Sequence, residues 1–181
     1  MSLSIRQEVA QQIVTAIKDY AFQYCYDLTT AVIPDGVISI GKYAFDSCDY
    51  LAVVAIPNSV TAIGVCAFRY CDLTSVTIPS GVTTIESSTF AACTELETVT
   101  IDEGVSVIGY NAFWACSSLV SVNIPNSVNS IEEGAFARCD QLDSIVIPNS
   151  VTTIGAETFY FCESLSTAII GDGVTSIGES A

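Results

Sequence analysis

Apolar residues fall along this chain in one fixed arrangement that returns about every 23 residues. Each repeat carries the segment Leu-x-x-Val-x-Ile, as in Leu119 to Ile124, and this alternation of apolar and small polar positions suits a short strand with one buried face. Pro follows the strand in five units (Pro34, Pro57, Pro79, Pro125, Pro148) and, lacking an N–H, ends the ladder there. Gly or Ser two positions later (Gly36, Ser59, Gly81, Gly104, Ser127, Ser150, Gly173) allows a turn. Val-x-x-Ile then brings two more apolar side chains inward. The Gly that follows in five units (Gly41, Gly64, Gly109, Gly155, Gly178) implies a backbone geometry that a Cβ would resist, although Glu86 and Glu132 hold that slot elsewhere. Ala-Phe-x-x-Cys follows, long enough for one or two helical turns. The pattern predicts a coil of strand, turn, second extended piece and short helix.

Phe22, Phe45, Phe68, Phe90, Phe113, Phe136 and Phe159 keep this period, with one step shortened by a deletion between Cys71 and Leu73. Three residues after each Phe stands Cys25, Cys48, Cys71, Cys93, Cys116, Cys139 or Cys162, and every Leu except Leu3 keeps the same register. One coil cannot bury its own apolar side, but stacked copies form ladders of like residues around a continuous core. Units begin near residues 10, 33, 56, 78, 101, 124, 147 and 170, so residues 10–181 read as a single solenoid of about seven and a half repeats. It breaks off at Ala181, one position before the next expected Phe, and so reads as truncated at the C-terminus. Residues 1–9 read as a leader and N-terminal capping segment. Ser4 is the expected N-cap of an amphipathic helix through Ile5, Val9, Ile13, Ala16 and Ile17 that would close the first coil. At a strand spacing of about 4.8 Å, seven steps would span roughly 34 Å. Helical segments are wider than strands, which would curve the stack with its strands inside.

The unit IPNSVTTIGAETFYFCESLSTAI (Ile147 to Ile169) resembles the BspA-like leucine-rich repeats, whose 23-residue units share the pattern I-P-x-S-V-T-x-I-G-x-x-A-F-x-x-C-x-x-L. The resemblance extends over residues 10–181. It implies an α/β repeat fold, a right-handed leucine-rich-repeat solenoid with a parallel strand ladder on the concave side and short helical turns on the convex side. It also implies a secreted or cell-surface protein, since some members are adhesins that bind matrix proteins or other cells. The general leucine-rich repeat carries Asn or Cys three residues after the strand, and here Ser or Gly stands there. The family shares no residue-level binding motif that can be carried over.

Half of the residues are hydrophobic, yet no run approaches the ~20 apolar residues of a membrane-crossing helix, so the excess belongs to the periodic core and membrane insertion is not expected. The start, MSLSIRQEVAQQ, lacks the basic and apolar regions of a secretion signal. Eight cysteines in a chain of this family invite a disulfide framework, but side chains stacked in parallel do not converge as a disulfide needs, and buried thiols are favoured. Cys66, outside the register, is expected as a surface thiol. A zinc site is disfavoured because there is no His and no C-x-x-C. No cofactor is expected.

Twenty acidic residues against five basic give a net charge of -15, and no Lys or Arg occurs between Arg69 and Arg138. Nucleic acid is thereby excluded as a partner, since phosphate contacts need clustered basic residues. Asp27, Asp49, Asp72, Glu95, Asp140 and Glu163 recur just after the Cys and would line an acidic ridge, either a solvated rim or a site for a basic partner or Ca²⁺. Without His, and with each repeated Cys beside an apolar Phe, nucleophilic and acid–base chemistry lack their usual groups, and the chain is not expected to be an enzyme. Two function classes remain. One is a protein-binding or adhesion module with a protein or glycan ligand. The other is a structural spacer or assembly unit, whose uncapped C-terminal edge offers self-association. The outward strand positions, among them Ser121, Asn123 and Ser144, are small and mildly polar. The candidate anchors are Trp114, Tyr160, Phe161 and Arg138 on the helical side, with Trp114 the first to mutate.

Overall fold

The computed structural model describes residues 2–4 and 14–181, which form a solenoid of stacked coils. A first strand recurs once per coil: β3 (Thr30–Val32), β5 (Val53–Ala55), β7 (Ser75–Ile78), β9 (Thr98–Ile101), β11 (Ser121–Asn123), β13 (Ser144–Ile147) and β15 (Thr167–Ile170). A second strand of two residues follows the turn: β2 (Ala16–Ile17), β4 (Ser39–Ile40), β6 (Ala62–Ile63), β8 (Thr84–Ile85), β10 (Val107–Ile108), β12 (Ser130–Ile131), β14 (Thr153–Ile154) and β16 (Ser176–Ile177). Every pairing is parallel, and all but that of the N-terminal strand join equivalent residues of successive coils, as Ser75↔Thr98↔Ser121 in the first row and Ile108↔Ile131↔Ile154 in the second. Both rows are interrupted between β5–β6 and β7–β8, where the repeat is one residue short, and the first row is interrupted again between β11 and β13.

The segment from Ile5 to Ile13, where the capping helix was expected, lies outside the described residues. On either side of it the backbone is extended. Ser2–Ser4 (β1) pairs with β3, and Ala16 and Ile17 belong to β2 rather than to a helix.

The short helices expected over Ala-Phe-x-x-Cys are absent: the described residues contain no helix, and this stretch is a run of turns. The cause is backbone geometry at two fixed slots, two residues before and two after each Phe. Tyr20 and Tyr24 flank Phe22 with φ near 61°, Tyr43 and Ser47 flank Phe45, Asn111 and Ala115 flank Phe113, and all are left-handed. A helix needs right-handed φ at each residue, so it cannot pass through either slot. The N–H groups therefore point alternately along and across the chain. Ala21 and Gln23 donate to carbonyls three residues back (Lys18, Tyr20), whereas Tyr20, Phe22 and Tyr24 donate to Lys42, Ala44 and Asp46 of the next coil at 2.7–2.9 Å. Left-handed non-glycine residues cost about 1–3 kcal/mol each, and this third inter-coil ladder offsets that cost with backbone hydrogen bonds that a helix would have spent within one coil.

The core is three ladders deep. Phenylalanine rings stack from Phe22 to Phe159 with centroids 5.1–5.8 Å apart, and Phe45, Phe68, Phe90, Phe113 and Phe136 are fully buried. Leu and Val/Ile ladders pack on either side of them. The glycines after the second strand do not use positive φ. They are needed because the coils approach closely: a Cβ on Gly64 would lie 2.6 Å from the Lys42 backbone nitrogen.

The Gly/Ser turn slot works as a pair across coils. Gly36 and Gly104 adopt φ of 96° and 128°, and the serine one coil later answers each. Ser127 Oγ accepts the Gly104 N–H at 3.0 Å and donates to the Val105 carbonyl at 2.7 Å, and Ser59 does the same for Gly36 and Val37. Ser150 follows another serine, not a left-handed glycine, and its buried hydroxyl has no partner among the described residues. Ser127→Ala is expected to cost about 1–2 kcal/mol, while Ser150→Ala should be neutral or stabilising by up to about 1 kcal/mol. Urea titration of the two variants checks this, and equal costs would refute the pairing rule.

Candidate functional site

The repeated cysteines are structural thiols. All eight are free, and in six successive steps the thiol of one coil lies at the Phe carbonyl of the coil before it: Cys48 to Phe22, Cys71 to Phe45, Cys93 to Phe68, Cys116 to Phe90, Cys139 to Phe113 and Cys162 to Phe136, at 3.1–3.3 Å. Five of these carbonyls, those of Phe22, Phe45, Phe90, Phe113 and Phe136, also accept their own coil's Cys N–H, a role for the thiol beyond that of a small hydrophobe. Burial pushes the Cys93 thiol up to about 12 and Cys162 to about 11, and raises Cys71, Cys116 and Cys139 well above their ordinary range. Cys66 does not lie at the surface as expected. It occupies a left-handed slot, is 5% exposed, and is raised chiefly by burial.

The outward positions of the first strands form exposed rows in register, Ser75–Thr98–Ser121 and Thr77–Thr100–Asn123, continued by Ser144 and Thr167. Ser121, Asn123 and Ser144 are therefore accessible and share one face. Val53, Val146 and Ile169 also stand outward and more than half exposed. The acids after the Cys are exposed or half-buried, and among the described residues no group of three or more His, Cys, Asp or Glu is placed to hold a metal ion.

On the turn face, three of the anchors expected from sequence come together. Tyr160 and Phe161 meet edge to face with centroids 4.4 Å apart, and the Arg138 guanidinium lies 5.2 Å from the Phe161 ring centre. Trp114 is separate. It is half-buried in a row whose neighbours on either side are Ala91 and Ala137, so it stands alone among small residues.

A second cluster on the same face was not read from the sequence. Gln23, Asp46 and Arg69 occupy one slot, just after the Phe, in three successive coils. Asp46 is fully buried and accepts hydrogen bonds from Gln23 Nε2 at 2.9 Å, Arg69 Nε at 2.8 Å and an Arg69 terminal nitrogen at 3.3 Å. The same guanidinium lies 5.5 Å from the Tyr43 ring centre and 5.1 Å from that of Tyr70, and Tyr43 stacks on Tyr20 at 5.1 Å. The hydrogen bond to the Asp46 carboxylate raises the Arg69 pKa still further, so the guanidinium keeps its charge. The signal was present as a column of polar letters beside the Phe, legible only once that slot is known to be stacked.

A model of the BspA type leucine-rich repeat region, in 6 copies, matches residues 15–142 and 61–181. Solved structures share the fold. A leucine-rich repeat protein of T. pallidum is 27% identical with a TM-score of 0.66, over 98% of this chain and 72% of that one. One from Eubacterium ventriosum is 27% identical with a TM-score of 0.72, over 84% of this chain and 42% of that one. The pneumococcal vaccine antigen PcpA is 19% identical with a TM-score of 0.54, over 91% of this chain and 57% of that one. No curated protein matches the chain. The family and these structures are those of repeat proteins and not of a catalytic family, and no helix among the described residues is long and apolar enough to cross a membrane.

Proposed function

Because the chain belongs to the BspA type leucine-rich repeat family, we propose that it is a non-enzymatic protein-binding or adhesion module that works outside the cell or at its surface, the location the family implies. One observation carries this reading. The Phe, Cys and Leu rows hold a single chemistry from coil to coil, while the row beside Phe changes at every step: Asp46, Ala91 and Ala137 are buried in it, and Gln23, Arg69, Trp114 and Tyr160 reach solvent. A fixed scaffold that varies the letters reaching its surface presents different contacts along its length to a macromolecule lying on it. The ligand is a protein or a glycan, and the net charge of -15 argues against nucleic acid. A glycan array and a pull-down panel, run with wild type and Trp114→Ala, test it. Saturable binding at micromolar concentration or below is expected, weakened about tenfold by the substitution. No saturable ligand would count against the reading.

A structural spacer or self-assembling segment is the second reading, favoured by the small outward residues of the strand face. Concentration-dependent dimers in sedimentation runs would support it, and monomers throughout would remove self-association.

A further inference from the structure

Tyrosine is unevenly placed. Of the 8 tyrosines, Tyr20, Tyr24, Tyr26, Tyr43, Tyr50 and Tyr70 lie in the first three coils, and all but Tyr43 are 47–63% exposed. Tyr20, Tyr43 and Tyr70 form one continuous surface through the ring stack and the Arg69 guanidinium, and Tyr24 contacts Tyr26 at 6.1 Å. Carboxylates stand beside several of these rings in the chain: Asp19 before Tyr20, Asp49 before Tyr50, Asp72 two residues after Tyr70. Within this surface the chain already shows what such a combination holds. Arg69 lies between two tyrosine rings with its guanidinium paired to a carboxylate, and Arg138 on Phe161 repeats the ring contact. Tyr70 also has an open side. The slot beside it in the next coil holds Ala92, whose methyl is too small to cover a ring.

We propose that the tyrosine-rich turn face of residues 18–72 docks an arginine-bearing basic segment of a partner protein, its guanidinium groups lying on exposed tyrosine rings with the flanking aspartates as counter-charges. The proposal rests on the reading of the chain as a binding module and names the partner's chemistry. Three observations favour arginine. The net charge of -15 draws cations from a distance. Arg is the cation that stacks on aromatic faces and also pairs bidentately with carboxylates. The Tyr43 and Tyr70 rings are held in place before any partner arrives, because Gln23 fixes Asp46, Asp46 fixes Arg69 and Arg69 lies against both rings, so little of their side-chain freedom is lost on binding.

Fluorescence anisotropy with the full chain tests it, using a labelled Gly-Arg-Ser repeat peptide and its Gly-Lys-Ser counterpart. The arginine peptide should bind at least about fivefold more tightly than the lysine one. Tyr20→Ser with Tyr70→Ser should weaken it about tenfold or more. Glu95→Gln with Glu97→Gln removes two charges away from the tyrosines and should change affinity less than about twofold. Asp49→Asn, at an exposed position, gives a variant whose folding is not at risk and should also weaken the arginine peptide. Equal binding of the two peptides, or equal losses in the tyrosine and glutamate variants, would show attraction to bulk charge alone and overturn the proposal. A screened ligand that binds tightly and ignores the tyrosine variants would also overturn it, while leaving the binding-module reading intact.

Discussion

Above about pH 9 the protein is expected to lose stability steeply and to unfold cooperatively before about pH 11, although below pH 8 its stability should hardly respond to these thiols. The groups responsible are the stacked cysteines. In the unfolded chain each thiol ionises near 9, whereas burial carries Cys93 to about 12 and Cys162 to about 11, and lifts Cys71, Cys116 and Cys139 as well. Below the unfolded value both states keep the proton and nothing changes. Between the unfolded and folded values the unfolded chain releases protons that the folded chain retains, so a rise in pH favours unfolding. Each fully buried thiol contributes a slope of about 1.4 kcal/mol per pH unit, and four or five titrating together exceed the stability of an ordinary domain within about two units. Cys48 runs the other way, because the Cys71 thiol beside it favours its thiolate, and subtracts one group. Urea titrations from pH 7 to 10.5 measure the slope. Cys116→Ala should lower stability at neutral pH and reduce the alkaline slope by about one proton; an unchanged slope would assign the alkaline loss to charge repulsion across the acidic surface.

Arg69→Met is expected to cost about 3 kcal/mol, the largest effect of any basic side chain among the described residues. Its partner Asp46 is fully buried, so removing the guanidinium strands a carboxylate with one Gln23 contact in place of its ion pair. Breaking a buried pair on one side costs about 3–5 kcal/mol, and the lower end applies because the Arg69 side chain is 32% exposed. Adding Asp46→Asn to Arg69→Met removes the stranded charge and should recover more than half of the loss. Arg69→Lys should fall between, since an ammonium keeps the charge but neither the fork nor the ring contacts. Chemical denaturation of the four proteins closes the cycle, and a double variant no more stable than Arg69→Met would show that ring packing, not the stranded charge, sets the cost.

These cases mark what could be read from the letters alone. Phe, Cys and Leu at one period required stacked ladders, and the stack is there, because a strict repeat leaves an apolar chain few other ways to bury itself. The turns were misread for a definite reason. Ala-Phe-x-x-Cys carries nothing that forbids a helix, and the left-handed slots are filled by Tyr, Ser, Ala, Asn, Arg, Glu, Cys and Phe, with Gly134 alone announcing the conformation. The backbone there is imposed by hydrogen bonds to the next coil, a long-range cause that local propensity does not record. Cys66 was misplaced by the same error, since its expected exposure followed from the helix. Trp114, Arg138, Tyr160 and Phe161 are legible as exceptions to the repeat, and Arg69 as a residue of the same face, whereas its pairing with Asp46 is not, because a charge in a turn reads as solvated until its neighbours one coil away are known.

The interrupted strand rows bear on how the array yields to force and heat. Between β5–β6 and β7–β8 neither strand row is continuous, although Thr74 N–H still reaches the Ala52 carbonyl at 3.3 Å, while Cys66, Phe68 and Tyr70 N–H groups cross the same step at 2.9–3.1 Å on the turn face. In a nearest-neighbour chain of coils that step is the weakest coupling. Native-state hydrogen exchange should therefore resolve two cooperative units that meet there, instead of one protection pattern fading from the ends. Mechanically the molecule is a strip with a crease: its spine runs unbroken along the turns, and its strand face is expected to part first at that step.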